Sequence, residues 1–141
     1  MSTKTYNPKK VIITFGGVEI KGFTEDSIIE VEPLGEGTKS VIGCDGGVTR
    51  SIDPDTRCKV TVKLKASSSS NDYLSTIYAA DQSTGGGILP ISMKDLSGTT
   101  TFAATQAWVT NYPKVSREKE AKENEWVFET GAATLFVGGN S

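Results

Sequence analysis

Apolar and polar residues alternate with a period of two through most of this chain. From Thr56 to Lys65, Cys58, Val60, Val62 and Leu64 point one way and Lys59, Thr61, Lys63 and Lys65 the other. A helix would scramble that order, whereas a strand keeps each set on one face. Ser27 to Pro33 sets Ile29 and Val31 against Glu30 and Glu32, a strand with one buried and one wet face. Lys10 to Phe15 and Val18 to Lys21 flank Gly16-Gly17, the positive-φ dipeptide of a tight hairpin. Further strands are predicted at Ile88 to Met93, Thr100 to Thr110, Glu125 to Glu129 and Ala132 to Val137. A single segment, Ser69 to Asp81 or Gln82, has the helical period, with Tyr73, Leu74, Ile77 and Tyr78 on one stripe. Ser69 or Ser70 is placed to cap it, Asp72 suits the positive end of its dipole, and Gly85, Gly86 and Gly87 stop it. One helix cannot make a core alone, so it must plug or buttress a sheet. The expected fold is mainly β: an antiparallel sandwich or barrel with one helix, as one domain over residues 1–141.

Two stretches break the alternation. Leu34 to Gly47 carries five glycines, with Val41 and Ile42 as its adjacent apolar pair beyond Leu34, and reads as a loop longer than ordinary hairpin connections. Val41-Ile42 would stand exposed there unless a second subunit covered it. Ser116 to Asn124 packs Arg117, Glu118, Lys119, Glu120, Lys122 and Glu123 between two tryptophan-bearing strands. It reads either as a solvated segment held by local ion pairs or as charge matching across a subunit contact through Arg117, Glu118, Lys119 and Glu120.

Composition narrows the chemistry. The 141 residues include no histidine, 15 basic and 17 acidic side chains, and a net charge of −2. There is no bulk attraction to nucleic acid, and the commonest general base and metal ligand is missing. Gly35-Glu36-Gly37-Thr38-Lys39-Ser40 fails as a phosphate loop because Thr38 separates Gly37 from Lys39. Ser116-Arg117-Glu118-Lys119 matches Ser-x-x-Lys only in a charge-dense stretch where the lysine stays solvated. Asp53-Pro54-Asp55 lacks the remainder of a calcium loop and reads as a turn. Carboxylates at Glu30 and Glu32 share a strand face, the ordinary mark of a wet surface. The expectation is therefore no enzyme, no cofactor and no metal site. Met1 to Lys10 does not read as a leader and no apolar run approaches a membrane span, so synthesis in a cytoplasm is expected. Two thiols without a CxxC pair do not make a zinc site. Cys58 fits a buried strand position, and Cys44 lies in a Gly-rich exposed stretch, open to a bridge within the chain or to a neighbouring subunit.

The order of several short motifs resembles the tail tube protein family of contractile bacteriophages, related in fold to the type VI secretion tube protein. They are Gly17-Val18-Glu19-Ile20-Lys21-Gly22-Phe23, Asp45-Gly46-Gly47-Val48-Thr49-Arg50-Ser51, and Ser68-Ser69-Ser70-Asn71-Asp72-Tyr73-Leu74. Pro90 to Gly98, Ala107-Trp108-Val109, Pro113 and Asn124-Glu125-Trp126-Val127-Phe128-Glu129 follow. The resemblance implies a structural virion protein whose hexameric rings share strands in one barrel and stack into the inner tube that conducts DNA into the host. It implies partners in further copies of the chain, the tail sheath, the tape measure and the baseplate or terminator, with assembly in the host cytoplasm and residence in the virion tail. It also implies no membrane partner, and DNA that passes through the lumen without specific binding. On this pattern Leu34 to Gly47 is the inter-ring stacking loop, with Gly35, Gly37, Val41, Ile42, Cys44, Asp45 and Gly46 as contacts. It joins inner strands Ser27 to Pro33 and Gly47 to Asp53, with Glu30, Glu32 and Thr49 facing the lumen. A barrel closed by several copies leaves no open sheet edge, and axial stacking continues as an open polymer. Two other readings stand beside it: a secretion-type tube carrying effectors, and a ligand-binding β-barrel with Trp108, Trp126, Phe102 and Phe128 around a cavity.

Overall fold

The computed structural model describes residues 11–21, 29–96, 98–113 and 123–139. Its elements are β1 (Val11–Phe15), β2 (Val18–Glu19), β3 (Ile29–Pro33), β4 (Thr38–Ile42), β5 (Val48–Ile52), β6 (Cys58–Lys65), α1 (Ser70–Thr84), β7 (Leu89–Asp95), β8 (Thr101–Val109), β9 (Glu123–Thr130) and β10 (Ala133–Phe136). All strand pairings are antiparallel. The main sheet runs β2-β1-β7-β8-β9-β6-β3, with β10 also on β8, while β4 and β5 form a separate two-stranded arm. The expected antiparallel, mainly β architecture with one helix is what the described residues adopt.

The alternating sequence produces one apolar face. Ile13 and Phe15 of β1, Val60, Val62 and Leu64 of β6, and Trp126 and Phe128 of β9 are all buried. The rings of Phe15 and Phe128 meet edge-on with centroids 5.0 Å apart. Because β7 and β8 lie between their strands, the sheet must curl to bring them together. Gly16 (φ 64°) and Gly17 (φ 83°) make the predicted hairpin turn, whose geometry matches the twist of the strands it joins.

Helix α1 covers this face, with Leu74 fully buried and Tyr73, Ile77 and Tyr78 packed against the core. It runs to Thr84, two residues beyond the predicted Gln82, and Gly85 in the left-handed region stops it as expected. Its start differs from expectation, since the Ser69 side chain makes no capping bond. Asn71 does the anchoring: its Nδ2 donates to the Lys65 and Ser68 carbonyls (2.9 and 3.0 Å), and its Oδ1 accepts from Trp126 Nε1 (2.9 Å). At the other side, the Tyr73 hydroxyl donates to the Phe15 carbonyl (2.8 Å) and the Lys21 amide donates to Ser70 Oγ (2.9 Å). The helix thus ties β1 to β9 across the curl of the sheet.

β9 and β10 form one long partner for β8. Residues 129 and 130 face 108 and 107, and residues 133–136 face 104–101, in one unbroken register. Gly131 continues that register between the two strands, donating its amide to the Gln106 carbonyl (2.9 Å). At the same level β8 slips by one residue against β7, and its burial changes phase so that Phe102, Ala104, Ala107 and Val109 face inward. This slip is a β-bulge, which moves every following side chain to the opposite face. Trp108 is therefore turned away from Phe102, and the four aromatic residues of the alternative ligand-binding reading do not gather around one cavity. Trp126, Phe102 and Phe128 are core residues at 1% exposure or less.

Candidate assembly surfaces

Three surfaces could carry function: the arm, the edge strand β3, and the outward face of the main sheet. The arm corrects the expectation of a loop from Leu34 to Gly47. Its glycines gather at the ends, leaving Thr38–Ile42 free to pair with Val48–Ile52. Between them Gly43 N–H donates to the Gly47 carbonyl (2.7 Å), Gly46 adopts φ 83°, and Asp45 Oδ1 accepts from the Gly47 amide (2.9 Å). That side-chain-to-backbone turn is how aspartate reverses a chain. The short run Thr38-Lys39-Ser40-Val41-Ile42 carries too few apolar residues to announce itself as a strand.

Pairing Ile42 with Val48, Ser40 with Arg50 and Thr38 with Ile52 places these six residues on one face of the arm. Val41, opposite Thr49, lies on the other face with Lys39 and Ser51. So Val41 and Ile42, taken together in the sequence, point in opposite directions. Val41, Ile42, Val48 and Ile52 are 64%, 73%, 65% and 72% exposed. Val48 and Ile52 escaped the sequence reading, although the alternation Val48, Arg50, Ile52 against Thr49, Ser51 would have found them. Cys44 is exposed in the arm's turn and Cys58 is buried at the start of β6, both as free thiols. Burial, and secondarily the charge of Asp55, raises the Cys58 thiol pKa and keeps it protonated.

Glu30 and Glu32 are exposed on β3, opposite Thr61 and Lys59 of β6. Lys59 faces Glu129 on its other side, and Lys63 faces Glu125. This part of the outward sheet face is a lattice of both signs. Thr49 belongs to the arm and β3 to the main sheet, so the structure does not bring Glu30, Glu32 and Thr49 into one sheet, nor join β3 and β5 as neighbouring strands. The reason is local: β5 finds its partner in β4, a strand formed within the stretch that its glycines mark as a loop. Arg117, Glu118, Lys119 and Glu120 lie outside the described residues.

Across β1, β7, β8 and β10 the outward face changes character. Thr14, Ser92, Ala103 and Thr134 form one cross-strand row. They line an open trough of about 460 Å³ without a charged side chain. Its polar side chains are the hydroxyls of Thr14, Ser92, Thr105 and Thr134, the first two 2.7 Å from each other. Among the described residues no group of three His, Cys, Asp or Glu side chains could hold a metal ion. No described helix is long and apolar enough to cross a membrane.

The family model described as bacteriophage PhiTE tail tube protein matches residues 12–138, nearly the whole chain. The chain belongs to this tail tube family. A relative, "Structural protein ORF10" of Pseudomonas phage KPP10, is 29% identical, with 98% of this chain and 84% of the relative aligned. Two solved structures share the fold at low identity. One is a chain of the virion of a native gene transfer agent particle (TM-score 0.64, 11% identity, 94% of this chain and 100% of that one). The other is the anti-feeding prophage tube-terminating cap (TM-score 0.63, 11% identity, 100% and 95%). Membership in a tail tube family makes this a phage structural protein, and the sheet-with-arm architecture is the form a tube subunit takes here.

Proposed function

We propose that this tail tube subunit forms hexameric rings that stack through the β4–β5 arm into the inner tube of a phage tail, a non-enzymatic conduit for DNA. The observation that carries the reading is the arm itself. A two-stranded sheet is marginal in water alone, yet this one exposes four large aliphatic residues. Covering each contributes about 1.5–3 kcal/mol, enough for a few of them to hold a joint that is repeated around a ring. The occupant is a second copy of the chain in the adjacent ring, the partner that a tube family supplies. The stacking contacts are then Gly35, Gly37, Val41, Ile42, Cys44, Asp45 and Gly46, extended by Val48 and Ile52. Within a ring, the exposed edge of β3 and the charged segment with Arg117, Glu118, Lys119 and Glu120 meet the neighbouring subunit. The sheath, tape measure and terminator or baseplate bind the finished tube, which is assembled in the host cytoplasm and carried in the virion.

Glu30, Glu32 and Thr49 face the lumen in this reading. The carboxylates, interleaved with lysines, leave no continuous basic track on which phosphates would be held. Negative-stain electron microscopy of the purified protein tests the proposal, with rings or tubes as the expected result and uniform small particles as the refuting one. Replacing Glu30 and Glu32 with lysine should slow DNA delivery from normally assembled tails. Unchanged infectivity would remove both from the lumen. Cys44 of adjacent subunits is the pair to examine for bridging on non-reducing gels of assembled material.

A further inference from the structure

The arm leaves the body by two passages, Leu34–Gly37 going out and Asp53–Arg57 returning, and its strands pair with no strand of the main sheet. Among the described residues, those passages carry the hydrogen bonds that join the arm to the body. Asp53 spends both carboxylate oxygens there: Oδ2 accepts from the Glu36 amide on the outgoing passage (2.9 Å), and Oδ1 accepts from the Asp55 amide on the returning one (2.9 Å). Its own amide donates to the Gly37 carbonyl (2.7 Å). Asp55 in turn accepts from Arg57 Nε and Nη2, each at 2.9 Å. The Arg57 carbonyl accepts from the Leu34 amide (2.9 Å), one residue before β6 enters the sheet. Gly35 lies against the Asp55 backbone so closely that a Cβ would overlap its carbonyl oxygen.

We propose that Asp53 is the positioning residue of the arm, a bridge that couples Glu36 and Gly37 through Asp55 and Arg57 to the start of β6 and so aims the apolar face before any partner is met. A free hinge would lose its orientational freedom on docking, and a preset arm has already lost it. The short side chain is suited to this, since an aspartate one bond from the backbone holds two amides, that of Glu36 exposed and that of Asp55 part-buried. Gly35 completes the joint by letting the two passages touch. The idea deepens the stacking role proposed above, but it concerns the free subunit and stands or falls without a tube.

Cys44 provides the probe, because it is exposed in the arm's turn while Cys58 is buried. A spin label on Cys44 and a second on Lys94→Cys, an exposed position of β7, report the arm-to-body distance by pulsed electron resonance on unassembled, spin-diluted protein. The expected result is a narrow distribution for Asp53, one at least about twofold wider for Asp53→Ala, and an intermediate one for Asp53→Asn, which keeps a single acceptor oxygen. Gly35→Ala should also widen or displace the distribution. Main-sheet unfolding, followed by Trp126 fluorescence, should keep its midpoint in all three. Equal widths for Asp53 and Asp53→Ala, or a wide distribution in the unsubstituted protein, would overturn the proposal. A narrow arm in a protein that never forms rings would instead leave it standing and refute the tube reading.

Discussion

Replacing Asn71 with alanine is expected to unfold this subunit far more easily than an exposed helix residue would suggest. Its side chain joins three elements: Nδ2 to the Lys65 and Ser68 carbonyls, and Oδ1 to Trp126 Nε1 and Asn124 Nδ2 (3.1 Å). The two carbonyls lie where water can replace the amide, so each lost bond costs about 0.5–1 kcal/mol. Trp126 is only 1% exposed, and its indole N–H would be left without an acceptor, a penalty of about 1–3 kcal/mol. The sum is about 3 kcal/mol. For a chain of this size each kcal/mol moves the melting temperature by about 4 °C, so Asn71→Ala should melt about 12 °C lower by circular dichroism on unassembled protein. Asn71→Asp keeps the acceptor and loses the donors, and should fall between. The decisive assay is a double-mutant cycle with Trp126→Phe, which removes the N–H. In that background Asn71→Ala should cost about 1–2 kcal/mol less. Additive costs, or a single-mutant loss below about 0.5 kcal/mol, would refute the account of Asn71 as the helix anchor.

Other substitutions separate packing from assembly. Leu74→Ala removes a fully buried side chain between helix and sheet and should cost about 2–5 kcal/mol in denaturant unfolding. Ile42→Asp and Ile52→Asp change residues that are 73% and 72% exposed, so monomer stability should stay within about 0.5 kcal/mol while sedimentation shows assembly lost. Val41→Asp, on the opposite arm face, should impair assembly less. Hydrogen bonds from the Glu36 and Asp55 amides hold the Asp53 carboxyl below its usual 3.8, and Arg57 holds Asp55 below the same value. A depressed folded-state pKa stabilises above the unfolded value, so the arm should remain aimed at pH 7 and at pH values above 3.8. It should loosen only as acid protonates Asp53 below 3.8, amid the charges of Asp55, Lys39, Arg57 and Glu36. Amide exchange at Glu36 and Asp55 that quickens already between neutral pH and 3.8, beyond the intrinsic pH trend, would contradict this.

The elements whose reasons are local are legible in the residues alone. The period of two in β6 and β9, the Gly16-Gly17 turn, and the helix stripe ending at Gly85 all follow from contacts within a few residues, where side-chain direction and backbone freedom decide the outcome. Even the family could be read, because the order of short motifs survives without knowledge of packing. Only the tertiary structure decided where those elements go. The bulge in β8 turned Trp108 away from the core, and no local property of Thr105 or Gln106 specifies it, since it answers to β7 on one side and Gly131 on the other. The arm was hidden for a similar reason: β4 is a strand because β5 lies beside it, not because its own residues demand it. Asn71 and Asp53 look like ordinary cap and turn residues in sequence. Their importance comes from partners 55 and 17 residues away, Trp126 and Glu36, which folding alone brings within reach.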